Sequence, residues 1–392
     1  MKHLNIKPGL LRTTVHIPSS KSYANRALVL ASLVKKSFTL KNLPESTDVT
    51  HLVAALKNLH LKMEEGENSL TVLNSFPDCE TSSKEIYVGE GGTTARFLAG
   101  LLTRGQEVYT LVLGNRLKDR PWEEFIQFVQ DFGGEASLHE NKLFIKGPLK
   151  LPSEVKMDCS RSTQFATAIQ LAYPEVKVTP VNLESSQSYW EMTVSLVKNS
   201  LSSNEYDVPL DWSSASYPMA FAALNQRIHF PGLFPDTLQA DSKFYGLLKD
   251  LGAIQDTADG LTVTPLTIKK SVTIDVSDCL DLVPTLGYFL SHIPGQHKLL
   301  NVSNLVHKES DRLNEVIKLL EIFEREAKLI GNDLVIDGHE DRVFSPRTLE
   351  MPDDHRMVMS GTLFLLHHWG GKISPLEAVN KSYPNFFELI QD

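Results

Sequence analysis

The segment "PSSKSYANRALVLASL", residues 18–33, joins a polar, basic start to the apolar stripe of a helix. Serine often caps a helix because its hydroxyl satisfies a free backbone N–H group, and carboxylates are favoured in the first turn. Here Lys21 and Arg26 stand at that end of the helix instead. Two interpretations follow: a solvated first turn, or a helix N-terminus that binds an anion such as phosphate.

The composition limits the classes of protein to which the chain can belong. The chain has 392 residues, of which 42% are hydrophobic and 22% charged, and this suits two globular domains with full cores. Its formal net charge of −9 argues against general binding to nucleic acid or to acidic membranes. We therefore expect a small anionic substrate, bound where basic residues are concentrated locally, and neither nucleic acid nor a membrane as partner.

The amino end and the cysteines exclude several further classes. No apolar run of signal-peptide length is present near residue 1, so we expect a cytoplasmic protein. Cys79, Cys159 and Cys279 are widely spaced and odd in number, which favours structural thiols over disulfides or a zinc site. None of the 13 histidines forms an HExxH motif. These patterns indicate no metal site.

Predicted helix starts recur in two series with matching intervals. The first series begins near Ser20, Gly92, Ser162, Ser213, Asp281 and Asp354, and the second near Asp48, Pro121, Ser188, Asp241, Lys308 and Pro384. We infer six units of about 65 residues, each with two helices and a few strands. A shortened third interval predicts a boundary in "NEYDVPLDW", residues 204–212. Chance spacing in a generic α/β protein is the alternative.

Most helices of the first series begin with small or hydroxyl residues, as in "EGGTTAR", "SRSTQF", "DWSSASY" and "PDDHRM". If the fold aims these N-termini one way, two facing halves would form a cleft rich in N–H donors. The glycine-rich "GEGGTTAR" lacks the GxxxxGK[ST] pattern, so nucleotide binding is poorly supported.

Seven motifs occur in one order along the chain: "GEGGTTARFLAGLL", "RLKDRP", "SRSTQF", "DWSSASY", "HKESDRL", "DDHRM" and "NKSYP". Together with the opening segment this set resembles the 5-enolpyruvylshikimate-3-phosphate (EPSP) synthase family, over residues 7–387. The resemblance implies an α/β fold, a two-domain inside-out α/β barrel of six βαβαββ repeats, three per domain. One domain would combine residues 1–18 with 210–392, and the other would comprise residues 19–209.

The resemblance also implies the reaction. The family transfers the enolpyruvyl group of phosphoenolpyruvate to the 5-hydroxyl of shikimate 3-phosphate and releases phosphate, without metal or organic cofactor. This step belongs to the shikimate pathway of aromatic amino acid biosynthesis. We expect the two small-molecule substrates as partners and a monomeric protein.

Site residues follow position by position from the resemblance. Catalytic roles fall to Lys21, Asp281 and Glu309. Phosphoenolpyruvate binding falls to Lys21, Gly92, Arg120, Gln164, Arg312, His355, Arg356 and Lys381. Shikimate 3-phosphate binding falls to Lys21, Ser22, Arg26, Ser162, Thr163, Gln164, Ser186, Tyr189, Asp281, Asn304 and Lys308.

Three positions depart from the family pattern. Glu90 replaces the usual asparagine, and a carboxylate beside a dianion is unfavourable unless it turns away or pairs with a cation such as Arg96. Thr163 replaces a serine and keeps the hydroxyl, whereas Ser188 replaces a proline. Gly92 is retained and leaves room for glyphosate, a ligand of the family's phosphoenolpyruvate site.

Other interpretations stay open at this stage. The sister enolpyruvyl transferase that acts on UDP-N-acetylglucosamine usually carries a reactive cysteine before its Arg-Pro pair, and residues 105–120 contain none. A non-catalytic anion-binding relative is a second rival. Taken singly, Asp281 is also a common helix cap, and Glu309 with Arg312 is also a common solvent-side ion pair.

Overall fold

The computed structural model of the chain describes residues 3–78, 84–200 and 203–391, so Cys79 lies outside the described residues. Contacts between Cα atoms divide the chain into two compact units. We call Ser19–Pro209 the central unit, and Met1–Pro18 with Leu210–Asp392 the terminal unit. Cys159 and Cys279 are buried free thiols, and burial raises their pKa values to about 11 and about 12.

Helices and strands alternate through both units. In the described residues the α-helices are α1 (Lys21–Ala31), α2 (Thr47–Asn58), α3 (Gly92–Leu102), α4 (Glu123–Asp131), α5 (Gln164–Ala172), α6 (Gln187–Ser200), α7 (Trp212–Asn225), α8 (Lys243–Asp250), α9 (Val283–Ser291), α10 (Arg312–Ile322) and α11 (His355–His367). Short 3₁₀ helices span Ala240–Ser242, Leu280–Leu282, Ser303–His307, Leu376–Lys381 and Phe386–Leu389.

The strands of the described residues are β1 (Leu4–Ile6), β2 (Phe38–Lys41), β3 (Met63–Gly66), β4 (Ser69–Val72), β5 (Lys84–Tyr87), β6 (Tyr109–Val112), β7 (Glu135–His139), β8 (Lys142–Lys146), β9 (Glu154–Asp158), β10 (Lys177–Val181), β11 (Glu205–Asp207), β12 (Ile228–Pro231), β13 (Ile254–Thr257), β14 (Gly260–Val263), β15 (Thr273–Asp275), β16 (Gly295–Leu300), β17 (Glu326–Ile330), β18 (Asp333–Gly338), β19 (Arg347–Glu350) and β20 (Gly371–Ser374).

Two sheets share one topology. Their strand orders are β5-β6-β8-β7 and β15-β16-β18-β17. In each, the first two strands run parallel and the last two form an antiparallel hairpin. A parallel pair needs a long crossover, and α3 and α9 supply it.

The remaining sheets vary this pattern. In β11-β2-β4-β3 the first strand comes from the end of the central unit, and β1 completes the sheet β1-β20-β19 of the terminal unit. The sheet β10-β9 has two strands among the described residues, because the chain passes from α6 to β11 without a hairpin. That direct passage explains why the interval between the third and fourth predicted helix starts is short. The count of six βαβαββ repeats stays a prediction.

The helices of the first series form the interior of each unit. In α3, α5, α7, α9 and α11 almost every residue is buried, and most of these residues are apolar or small. Gly100 shows how closely they pack, since a Cβ atom there would lie 2.6 Å from the carbonyl oxygen of Ala168 in α5. The second series covers the sheets with amphipathic helices such as α4.

Eleven of the twelve predicted helix starts lie within four residues of an α-helix start, and the one near Pro384 precedes only the 3₁₀ helix Phe386–Leu389. Ser20 and Asp354 are the N-cap residues of α1 and α11, and α3 begins at Gly92. The largest offset is at Lys308, because a 3₁₀ helix precedes α10 and delays its start to Arg312. Within the residues that the structure describes, no helix is both long enough and apolar enough to cross a membrane.

Candidate active site

In the central unit, Lys21 is the first residue of α1 and is paired with a carboxylate. Its Nζ lies 2.8 Å from Oδ2 of Asp48, in the first turn of α2. Asp48 is buried, and its carbonyl oxygen accepts a hydrogen bond from the hydroxyl of Thr94 in α3. The pair, formed by a half-buried lysine and a buried carboxylate, fixes the position of the ammonium group at the N-terminal end of α1.

Arg26 is enclosed one turn further along α1. It donates to the carbonyl oxygen of Ser22 at 2.8 Å, to that of Tyr189 at 3.1 Å and to the hydroxyl of Thr193 at 2.9 Å. Burial lowers the pKa of Arg26 to about 10. The guanidinium thus brings together Ser22 and Tyr189, two predicted substrate residues, and ties α1 to α6.

The N-terminal ends of α3 and α5 meet around two guanidinium groups. Arg96 Nη1 lies 2.7 Å from Oε1 of Gln164 and 3.4 Å from Oγ of Ser162. Arg120 Nη1 covers Gly92, since a Cβ atom there would lie 2.5 Å from it. Burial, followed by the charge of Arg120, lowers the pKa of Arg96 to about 9. This local excess of positive charge suits an anion.

Glu90 turns away from these groups. Its Oε2 accepts the backbone N–H of Arg116 at 3.2 Å, and its carboxylate packs against Gly114. Arg96, which we named as a candidate partner, bonds to Ser162, Gln164 and the carbonyl of Pro121 instead. The replacement of asparagine by glutamate therefore ties the glycine-rich turn to the loop that leads to Arg120.

The remaining predicted residues of the central unit lie beside α5 and α6. Ser162 Oγ accepts the backbone N–H of Gln164 at 3.2 Å, and Thr163 is the buried N-cap of α5. Ser186 precedes α6 with a positive φ of 63°, and its carbonyl accepts the N–H of Trp190. Ser188 lies in the first turn of α6, where the family's proline would also fit.

In the terminal unit, one carboxylate binds three cations. Asp281 lies 2.8 Å from Arg312 Nη1, 3.0 Å from Arg356 Nη2 and 3.3 Å from Lys308 Nζ. Burial opposes the ionisation of Asp281, but the three cations outweigh it and hold the pKa of the carboxyl group well below its usual value. Asp281 is therefore an anion at neutral pH.

Arg312 is held from its other side by Asp354. The Nε atom lies 3.0 Å from Oδ2 of Asp354, and both side chains are almost fully buried. Burial disfavours both charges, yet the pairing lowers the pKa of Asp354 and raises that of Arg312. Asp354 also accepts the backbone N–H of Arg356, so one carboxylate orients two of the predicted phosphoenolpyruvate ligands.

A second acidic group lies next to this network. Glu309 Oε2 is 3.1 Å from Nδ1 of His355 and 3.4 Å from Nζ of Lys381. Asn304, the last predicted ligand, is half-buried in the 3₁₀ helix Ser303–His307. Predicted residues from three separate motifs thus meet: "HKESDRL", "DDHRM" and "NKSYP".

Glu309, Asp354 and His355 form the one group, within the described residues, whose ligand atoms are close enough together to hold a metal ion. Their carboxylates already bind Lys381, Arg312 and His355. A cation would have to compete with the positive charges of Lys381 and Arg312. The group therefore fits a metal ion poorly.

Sequence reasoning did not select several residues that organise these clusters: Asp48, Arg96, Ser213, Asp241 and Asp354. Each lies at or near a predicted helix start. Four of them are a carboxylate or a hydroxyl that the sequence marks only as a helix start, and Arg96 lies one turn into α3.

Comparison with known proteins decides the family. The family model described as EPSP synthase (3-phosphoshikimate 1-carboxyvinyltransferase) matches residues 6–200 and 181–390. The chain belongs to this family. The EPSP synthase resemblance inferred from the ordered motifs is therefore confirmed.

Curated EPSP synthases align over the whole chain. The 3-phosphoshikimate 1-carboxyvinyltransferase of Vibrio vulnificus (strain YJ016) is 27% identical, and the alignment covers 100% of this chain and 98% of the relative. The enzyme of the same name from Clostridium kluyveri is 29% identical, with 99% and 96% covered. These relatives bear the name of the predicted activity and not that of the sister transferase.

Solved structures establish the fold. The EPSP synthase of Acinetobacter baumannii superposes with a TM-score of 0.75 at 19% identity, over 99% of this chain and 97% of that one. The enolpyruvyl transferase NikO of Streptomyces tendae gives a TM-score of 0.75 at 13% identity, over 99% and 96%. The predicted α/β class and two-domain enolpyruvyl transferase fold are confirmed.

Proposed function

We propose that this chain transfers the enolpyruvyl group of phosphoenolpyruvate to the 5-hydroxyl of shikimate 3-phosphate and releases phosphate. The observation that carries the proposal is the match of the EPSP synthase family model to both halves of the chain. The charged clusters described above supply the residue types that this reaction needs.

The anionic groups of the substrates require fixed cations. We assign phosphoenolpyruvate binding to Lys21, Gly92, Arg120, Gln164, Arg312, His355, Arg356 and Lys381. We assign shikimate 3-phosphate to Lys21, Ser22, Arg26, Ser162, Thr163, Gln164, Ser186, Tyr189, Asp281, Asn304 and Lys308. The paired guanidinium groups of Arg96 and Arg120 support this assignment, because their mutual repulsion is relieved when an anion binds.

The chemistry proceeds by addition and then elimination. In the addition, the 5-hydroxyl oxygen bonds to C2 of phosphoenolpyruvate, the hydroxyl loses its proton, and the methylene carbon gains one. The product is a tetrahedral ketal phosphate. In the elimination, the new methyl group loses a proton, the C2–O bond to phosphate breaks, and the enol ether forms.

Three groups are assigned to the proton transfers: Lys21, Asp281 and Glu309. Asp281 is anionic and can accept the hydroxyl proton, while its charge stabilises positive charge developing at C2. Glu309 and Lys381 lie 3.4 Å apart, so a carboxylate and an ammonium group are available together. The charge of Glu309 acts on Asp281 within the terminal unit. We assign the proton transfers to the three residues jointly, without dividing the steps among them.

The finer features of the proposal follow the same resemblance. We propose a monomeric, cytoplasmic enzyme that needs no cofactor and has neither nucleic acid nor a membrane as partner. The two compact units would correspond to the two domains of the family. Glyphosate would compete with phosphoenolpyruvate, since Gly92 places no side chain beside Arg120 Nη1.

The decisive experiment measures phosphate release from phosphoenolpyruvate by the purified chain. Parallel reactions contain shikimate 3-phosphate, shikimate, or UDP-N-acetylglucosamine as acceptor. Of the three acceptors, we expect only shikimate 3-phosphate to support sustained release of phosphate from phosphoenolpyruvate. Turnover with UDP-N-acetylglucosamine alone would assign the chain to the sister activity, and binding of phosphoenolpyruvate without turnover would make it a non-catalytic relative.

A further inference from the structure

A chain of hydrogen bonds runs from Asp281 into the interior of the terminal unit. Arg356 Nη2 lies 3.0 Å from Oδ2 of Asp281, and Arg356 Nη1 lies 3.1 Å from Oγ of Ser213. Ser213 in turn bonds to Oδ2 of Asp241. Ser213 lies in the first turn of α7, and Asp241 in the 3₁₀ helix before α8, so the chain joins separate elements.

The direction of each bond is fixed by the groups involved. A guanidinium can only donate, so Ser213 Oγ must accept from Arg356. The single hydroxyl proton of Ser213 is then free to point at Asp241, which accepts it. Asp241 thereby controls the orientation of the hydroxyl that receives Arg356.

Asp241 occupies an unfavourable position unless it has such a role. Its side chain is 3% exposed, and its Oδ1 has no hydrogen-bond partner among the described residues. A buried carboxylate oxygen without a partner destabilises a fold, and native proteins rarely keep one without a reason. The bond to Ser213 provides that reason.

We propose that Asp241 and Ser213 are positioning residues for the enolpyruvyl transfer, holding the guanidinium of Arg356 where it pairs with Asp281. This inference rests on the proposed function. Neither residue belongs to the set that the family resemblance assigned to substrates. They act through Arg356, which the resemblance assigned to phosphoenolpyruvate.

The hold of Asp241 and Ser213 on Arg356 should depend on pH. Burial, followed by the charge of Asp281, raises the pKa of Asp241 to about 7, against the opposing charge of Arg356. The titratable and charged groups that face Asp241 from the neighbouring segments are Asp211, Cys279, Asp281 and Arg356. An ionised Asp241 accepts the hydroxyl proton more strongly than a neutral acid does. Arg356 is therefore held more firmly above pH 7 than below it.

The test compares wild type with Asp241→Asn and Ser213→Ala. Asparagine keeps an acceptor oxygen but stays neutral, so it mimics the protonated acid at every pH. We expect kcat/KM for phosphoenolpyruvate to be about tenfold lower than wild type at pH 8, the difference between a charged and a neutral acceptor. The ratio of the wild-type kcat/KM to that of the variant should approach one at pH 6. A Ser213→Ala variant should show the same trend, and the double variant should lose no more than either single one.

The control is Asp256→Asn, an exposed carboxylate of the same unit that bonds to Tyr245. It should match wild type at every pH. A ratio that is the same from pH 6 to pH 8 would overturn the positioning role, because a loss of packing alone has no reason to depend on pH. If Asp241→Asn does not fold, Ser213→Ala carries the same test.

A second readout separates this inference from the proposed function. We expect the carboxyl carbon of Asp241 to titrate near pH 7 in wild type, followed by ¹³C NMR, and its midpoint to shift in Ser213→Ala. If wild type shows no turnover but this titration is observed, the proposed function fails and the hydrogen-bond chain stands. A normal carboxyl titration together with turnover refutes the inference and leaves the function intact.

Discussion

The Nζ of Lys21 and the Oδ2 of Asp48 lie 2.8 Å apart and are almost withdrawn from solvent. Lys21 is the first residue of α1, where a positive charge is unfavourable, and Asp48 belongs to the next helix in the chain. The carboxylate compensates for the unfavourable position and holds the ammonium group in place. The first turn of α1 is therefore not simply solvated, and anion binding there stays a prediction.

Replacing Asp48 by asparagine should weaken the reaction without unfolding the chain. The charge-assisted bond becomes a neutral one, and we expect kcat/KM for phosphoenolpyruvate to fall by about tenfold or more. Steady-state phosphate release measures the change. The control is Glu65→Gln, which breaks an exposed pair with Lys57 and should alter neither activity nor stability. Equal activity of the two variants would contradict a role for the Lys21–Asp48 pair.

Adding a methyl group at Gly92 should displace Arg120. The new Cβ atom would lie 2.5 Å from Arg120 Nη1 and 3.5 Å from Gln164 Oε1. We expect Gly92→Ala to raise the KM for phosphoenolpyruvate by about tenfold, the value of one charge-assisted hydrogen bond, and to change the KM for shikimate 3-phosphate less. Similar increases for both substrates would contradict this placement of phosphoenolpyruvate.

Gly246 offers a matched control for that substitution. It lies inside α8, and a Cβ atom there would have nothing within 4 Å. Gly246→Ala should leave the kinetics unchanged and raise the free energy of unfolding by about 0.5–1 kcal/mol, because alanine favours a helix over glycine. Urea denaturation measures this difference.

Asp281 and Asp354 should respond differently to loss of charge. Asp281→Asn should lower kcat by about 10²–10⁴-fold, as expected for a group in acid–base catalysis. Asp354→Asn leaves the buried Arg312 without the negative charge of its second partner, and we expect a loss of about 3–5 kcal/mol in the free energy of unfolding. Denaturant unfolding and phosphate release measure the two effects. A larger loss of unfolding free energy in Asp281→Asn than in Asp354→Asn would contradict a mainly catalytic role for Asp281 and a mainly stabilising role for Asp354.

Three buried histidines, His292, His367 and His368, pack together in the terminal unit, and two of them are joined by a hydrogen bond. His292 Nδ1 lies 2.6 Å from the carbonyl of Tyr288, its Nε2 lies 3.0 Å from Nε2 of His368, and His368 Nδ1 accepts the N–H of Val343. Burial, reinforced by neighbouring cationic or histidine groups, holds the pKa of His292 well below its usual value and lowers those of His367 and His368 to about 3.

These histidines should make the protein less stable in mild acid. In the unfolded chain each takes up a proton near pH 6.5, whereas the folded state keeps them neutral, so the unfolded state binds more protons. Their contribution is complete above pH 6.5 and declines as the pH falls toward 3. Each should lower the free energy of unfolding by about 1.4 kcal/mol per pH unit below about pH 6.

Urea denaturation between pH 7.5 and pH 5 measures that slope. His367→Gln removes one titrating group and should make the slope shallower. His139→Gln, at an exposed position of the central unit, is the control and should leave the slope as in wild type. A slope unaffected by His367→Gln would contradict the assignment.

Removal of metal ions should not affect the reaction. The carboxylates of Glu309 and Asp354 are bound to cationic side chains, which compete with any added ion. We expect equal phosphate release before and after dialysis against a chelator. Loss of activity that zinc or magnesium restores would refute this expectation.

The sequence predicted the interior of the fold well. Long apolar stretches with small or hydroxyl residues at one end, as in α3, α7 and α11, can be nothing but buried helices with a polar start. Their starts were found within a few residues because capping is local chemistry. Strand partners were not predicted from local patterns. β11 pairs with β2 across most of the central unit, and β1 with β20 across most of the chain.

The sequence by itself determined which residue types lie at the helix starts, and their order along the chain was specific enough to identify the family. Only the tertiary structure decided which charges meet. Asp281 binds Arg312 and Arg356, and Lys21 binds Asp48, through contacts between residues far apart in sequence. The orientation of Glu90 and the burial of Asp241 were likewise decided there, because the energy of a charge depends on the groups that surround it in space.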